Sequence, residues 1–178
     1  AVELEPNNLA YLRARGDVAI WTGQYPMAID SYERILAVSP QDADALLGLA
    51  RASARNGKPD AAAPRYHAYL AQRPQDKDAM LEALELEAGR GNTAAVQEYD
   101  ALYRQRFGAS KEYWLRMADI YALGNDPVAS AAALKEATRL APQDHALFYR
   151  LAQSYPSEKE AAEAAAAIER AVELDPNN

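Results

Sequence analysis

Prolines recur along this chain at a fixed interval. Pro6, Pro40, Pro74, Pro142 and Pro176 fall 34 residues apart with one double gap, and Gly108 stands at the midpoint of that gap. Their flanks repeat too: Glu5-Pro6-Asn7-Asn8, Ser39-Pro40-Gln41-Asp42, Arg73-Pro74-Gln75-Asp76, Ala141-Pro142-Gln143-Asp144 and Asp175-Pro176-Asn177-Asn178. Proline lacks a backbone donor and ends a helix, and a following Asn or Asp accepts from the first N–H groups of the next. Each flank therefore reads as a stop followed by a start. A unit of 34 residues holds two short helices, too few to bury an apolar face alone. Its neighbours must cover it.

The apolar residues follow the same grid. Leu12, Leu46, Met80, Trp114 and Phe148 put a large side chain early in each first helix. Gly16, Ala50, Ala118 and Ala152 place a small residue one turn later, with Leu84 as the exception. In the second helices Ala28, Ala62 and Ala164 recur, followed by Tyr32, Tyr66, Leu134 and Ile168. Gly23, Gly57 and Gly91 mark the turn inside each pair, and Asn125 holds that place in the fourth. The run Trp114-x-x-Met117-Ala118-x-x-Tyr121, with Leu134, Ala137 and Pro142 beyond it, resembles the tetratricopeptide repeat signature. The resemblance covers the whole chain. It implies an all-α, right-handed α-solenoid of antiparallel helix pairs, with repeats at 9–42, 43–76, 77–110, 111–144 and 145–178.

Residues 1–8 nearly duplicate 171–178 and read as the C-terminal stub of a preceding repeat. We therefore expect one continuous domain excised from a longer array, with eleven helical segments and no strand. Three copies depart from the pattern. Repeat three lacks its stop proline and aligns best with a turn one residue short, matching Ala95, Tyr99 and Leu102 to their counterparts. Pro64 should bend or interrupt the second helix of repeat two. Pro156 should end a first helix, with Ser157-x-x-Glu160 forming a capping box for the helix after it.

In the family, first helices line a concave groove suited to an extended peptide or a partner helix. One row expected there is Arg13, Leu47, Leu81, Leu115 and Tyr149; a second contains Asp17, Arg51 and Asp119. The leucines suggest an apolar stripe, or else simple packing between neighbouring first helices. Repeat two carries a net charge of +2 while the other repeats are negative. Arg13, Arg51 and Arg55 thus suggest a notch for an acidic group, with pairing to Asp17 or Asp44 as the plainer reading. The Lys, Asn and Arg set by which some family members hold a C-terminal carboxylate is missing from every register.

Catalysis is not expected. There is no cysteine, His67 and His145 lie in different repeats, and Glu82, Glu85 and Glu87 read as solvated carboxylates. No metal or cofactor is expected either. A formal net charge of -7 argues against nucleic acid, and no apolar run approaches the roughly 20 residues of a membrane span. The partner expected is a protein or peptide. Ile168, Val172 and Leu174 in the last repeat are expected to add end-to-end self-association. An alternative is an architectural spacer or docking segment, as in bacterial periplasmic exopolysaccharide (cellulose-type) export. Lack of cysteine suits periplasm and cytoplasm alike, and the resemblance to export arrays tips the expectation toward the periplasm.

Overall fold

A computed structural model describes residues 8–155, 157 and 160–176. The expected stub before Pro6 and the role of Pro156 lie outside the described residues. The described chain is helical, without a strand, and divides into two compact units at residues 1–90 and 91–178. The first holds α1 (Leu9–Trp21), α2 (Tyr25–Val38), α3 (Ala43–Arg55), α4 (Pro59–Gln72) and α5 (Lys77–Gly89). The second holds α6 (Thr93–Phe107), α7 (Lys111–Leu123), α8 (Pro127–Leu140), α9 (His145–Ser154) and α10 (Ala161–Leu174).

The odd-numbered helices start every 34 residues because the capping residue recurs every 34. Asn8, Asp42, Asp76, Ser110 and Asp144 each accept a hydrogen bond from the backbone N–H three residues on. Asp42 and Asp76 do so at 2.9 Å. The turns inside the pairs need one residue in the left-handed region. Gly23, Gly57 and Gly91 supply it at φ 74°, 71° and 69°, and Asn125 at 56°. Pro26, Pro59 and Pro127 lie in the first turn of their helices, where a missing N–H costs nothing.

In the first unit α1 pairs with α2, α3 with α4, and α2 and α4 pack on the next odd helix. Leu12, Ala19, Ala28, Tyr32, Ile35, Ala45, Leu49 and Ala52 form its core cluster. Tyr32 is its keystone, because its ring fills space left by two absent side chains. A Cβ on Gly16 would lie 2.7 Å from the ring, and one on Gly48 2.4 Å. In the second unit α7 pairs with α8, α9 with α10, and α8 packs on α9. Met117, Ala118, Ile120, Leu134 and Ala137 are buried there, and Tyr103 of α6 stacks on Tyr113 at 4.2 Å between ring centres.

Three expectations are corrected. The turn between α5 and α6 is not short: residues 90–92 match 22–24, 56–58 and 124–126 in length. Gly91 adopts the same left-handed φ as its counterparts. Val96 and Tyr103 are buried; of the residues expected inside, Tyr99 is buried too, while Ala95 and Leu102 are only half-buried. Gly108, at φ 73°, takes over the stop that proline provides elsewhere. Pro64 does not interrupt α4, which runs unbroken from Pro59 to Gln72. Its ring is exposed, and what it forfeits is its own bond to the Asp60 carbonyl. The capping box at Ser157 does not form. The Glu160 N–H donates to the Ser157 carbonyl at 3.1 Å, the Ser157 hydroxyl donates to the Glu160 carboxylate, and α10 begins at Ala161.

Candidate functional site

Helical spacing decides which candidates share a surface. Leu47, Arg51 and Arg55 are four residues apart and lie on one face of α3, as Leu81 and Glu85 do on α5. Leu47 and Leu81 are half-buried, so part of each remains open to solvent. Between α3 and α5 a cleft of about 340 Å³ is lined by Arg51, Arg55, Tyr66, Glu82, Glu85 and Leu86, together with Ala54. Tyr66 and Leu86 were not among the sequence candidates.

Most of the charge in this region is already matched. Arg51 grips Glu82 with two bonds of 2.8 and 2.9 Å, and the Tyr66 hydroxyl donates to the same carboxylate at 3.0 Å. Arg13 donates to Asp42 at 2.6 Å and lies 3.5 Å from Asp44. Burial by itself would raise the Asp42 carboxyl, but the Arg13 guanidinium and the Ala45 N–H outweigh it and hold the group below the usual carboxylate range. Asp17 accepts from the Tyr32 hydroxyl at 2.7 Å. Of the three arginines expected to form a basic notch, two are bound within the protein, and Arg55 stands exposed in the cleft wall. The carboxylates of α5 are likewise not simple surface groups. Glu82 is bonded as above, and Glu87 is buried and accepts from Arg90 at 2.6 Å.

In the second unit Leu115 is half-buried on α7, and Asp119, one turn on, accepts from Arg150 of α9. A cleft of about 350 Å³ is lined there by Ala118, Asn125, Ser130, Leu134, Arg150 and Gln153, among others. Tyr149 lines a different hollow of about 300 Å³, with His145, Ile168, Ala171, Val172 and Asp175 on α9 and α10. This pairing of Tyr149 with α10 was not legible from its row along the first helices.

The second unit also contains a polar cluster that the grid conceals. Asp100 occupies the position held by Tyr32, Tyr66 and Leu134 in other copies and is buried. Arg104 donates to it twice, at 3.0 and 2.8 Å, and the Tyr113 hydroxyl donates to it as well. Burial first, and then this bond to Asp100, push the Tyr113 phenol well above its ordinary range. Tyr113 itself stands where α3 and α5 have Ala45 and Ala79. A small residue has replaced a large one, and a large residue from the facing helix fills the room.

Among the described residues, no group of three or more His, Cys, Asp or Glu side chains is placed to hold a metal ion. No described helix is long and apolar enough to cross a membrane. The surfaces just described are open clefts on paired helices, framed by mutually bonded charges, as expected of a helical-repeat binding protein. The sequence profile of the tetratricopeptide repeat matches residues 13–77, 54–105, 80–145 and 115–178, and the chain belongs to that family. Its fold is similar to solved structures of MamA. A crystal structure of MamA protein is 14% identical, with 94% of this chain and 92% of that one covered, at a TM-score of 0.74. MamA from Desulfovibrio magneticus RS-1 is 14% identical over 96% of both chains, at a TM-score of 0.71. MamA of MSR-1 is 17% identical over 94% of this chain and 97% of that one, at 0.67. At such identities the likeness is one of fold. No curated protein sequence matches significantly.

Proposed function

We propose that this chain is a non-catalytic interaction scaffold, and that α3 and α5 of the first unit bind an extended segment of a partner protein. One observation carries the reading: Leu47 and Leu81, one repeat apart, stay partly open on the faces that also bear the cleft. Because Arg51 and Glu82 neutralise each other, the cleft offers an occupant little net charge. Apolar anchors supply the affinity, since burying a Leu contributes about 1.5–3 kcal/mol and an exposed ion pair about 0–1. Arg55 adds a preference for an acidic group near one end.

Panning a random peptide library on the protein tests this directly. Recovered peptides should carry apolar residues spaced for two anchors and an acidic residue beside them. Their affinity, read by fluorescence polarisation, should fall more for Leu47→Ser with Leu81→Ser than for Arg55→Ala. If no peptide is enriched, or the leucine variant binds as before, the architectural spacer becomes the better account.

A further inference from the structure

The surface of α9 and α10 exposes what every internal junction within a unit buries. Ile168 occupies the grid position of Tyr32, Tyr66 and Leu134, which are 1%, 4% and 2% exposed, yet Ile168 is 47% exposed. Val172, one turn on, is 55% exposed, and Tyr149 beside them 56%. At the other extreme of the chain, α1 shows the converse. Where α3 turns Ala45, Gly48 and Ala52 inward, all buried, α1 has Tyr11, Ala14 and Val18, with Trp21 continuing the line. Tyr11, Val18 and Trp21 are 37%, 58% and 86% exposed. Their spacing of seven and then three residues puts them on one stripe of the helix.

The two surfaces also match in size, by reversal. Inside the first unit, small residues of α3 meet bulky Tyr32 and Ile35 of α2. At the α10 positions of Tyr32 and Ile35 stand the smaller Ile168 and Ala171, bordering the hollow of about 300 Å³. On α1 the small residues are replaced by Tyr11 and Val18, so the bulk has moved to the other partner. The charges agree. Arg51 with Glu82, and Asp119 with Arg150, bridge helices at fixed grid positions; the residues at those positions on the two open surfaces are Gln153 and Ala14, neither charged.

We propose that the α1 stripe of one copy, through Tyr11, Val18 and Trp21, docks on the α9–α10 surface of a second copy around Ile168 and Val172. The contact is head-to-tail, so each joined pair retains one open surface of either kind and association continues past the dimer. It is apolar and survives salt.

Sedimentation velocity over a micromolar to millimolar range tests it, with two variants on exposed positions. One carries Val18→Glu and Trp21→Glu, the other Ile168→Glu and Val172→Glu. The unaltered chain should grow beyond the dimer with concentration, at low and high salt alike. Each variant alone should remain monomeric with an unchanged circular dichroism spectrum, and an equimolar mixture of the two should form a one-to-one dimer and nothing larger. Serine at the same four positions should weaken association without abolishing it, which separates loss of the contact from loss of fold. Three results would each overturn the proposal: a monomer at millimolar concentration, a variant that self-associates alone, or a mixture that does not combine.

Discussion

Replacing Gly48 by alanine should destabilise the first unit, although Gly→Ala within a helix ordinarily does the opposite. The gain in helix propensity is about 1 kcal/mol. Against it, the added methyl would lie 2.4, 2.6 and 2.8 Å from three atoms of the Tyr32 ring. The ring has nowhere to move. Gly16 backs it on the far side, where even a Cβ would be within 2.7 Å, and its hydroxyl is held by Asp17 at 2.7 Å. Overpacking of this kind costs about 1–3 kcal/mol, so the net effect should be a loss of up to about 2 kcal/mol. In a chain this long that lowers the melting temperature by about 2–4 °C for each kcal/mol. A double-mutant cycle isolates the cause. In a Tyr32→Leu background, which copies the residue at position 134, Gly48→Ala should become neutral or stabilising by up to about 1 kcal/mol. The readout is urea or thermal unfolding followed by circular dichroism. Stabilisation by Gly48→Ala in the unaltered background, or equal effects in both backgrounds, would refute the idea that the glycine exists to admit the ring.

Asp100→Ala should strip the Tyr113 hydroxyl and the Arg104 guanidinium of their common acceptor. A loss of about 1–3 kcal/mol is expected in urea unfolding, with hydrogen exchange accelerated first in α6 and α7. A neutral result would mean that the cluster is dispensable. The pH dependence follows from the tyrosines. Burial first, and then hydrogen bonds to carboxylates, raise the phenols of Tyr32 and Tyr113, while Tyr69 is pushed up to about 12. A raised folded pKa stabilises fully below the unfolded value of about 10 and loses that contribution as pH climbs through the folded one. The fold should therefore collapse cooperatively in strong alkali, with tyrosinate absorbance rising in step with loss of helicity. Smooth titration of all eleven tyrosines near their ordinary value, with helicity intact, would contradict this. On the acid side Asp42 and Asp76 are held below their ordinary values, because backbone N–H groups and side-chain partners outweigh burial. Their contribution is present above the unfolded pKa of about 3.9 and disappears as pH falls through the folded values, which acid unfolding monitored by circular dichroism should reveal.

By itself the sequence determined the elements and their order. Caps, stop residues and turn glycines are local devices whose geometry depends on a few adjacent residues, so Asn8, Asp42, Asp76 and Gly91 could be read from their spacing. Family membership was legible for the same reason, since a repeated local pattern leaves few alternatives. What the sequence did not reveal was which partner each polar side chain takes. Arg51 lies 31 positions before Glu82, and Tyr113 lies 13 beyond Asp100, so those bonds form only once the helices have docked. The irregularity of repeat three was placed in its turn when it resides in its core, where Asp100 and Tyr113 exchange bulk between facing helices. For the basic notch, pairing within the protein was the plainer reading and Asp44 does lie beside Arg13, but Asp42 and Glu82 were not legible as partners. Docking brought Asp42 to Arg13 and Glu82 to Arg51, and short-range electrostatics then turned candidate binding groups into structural ones.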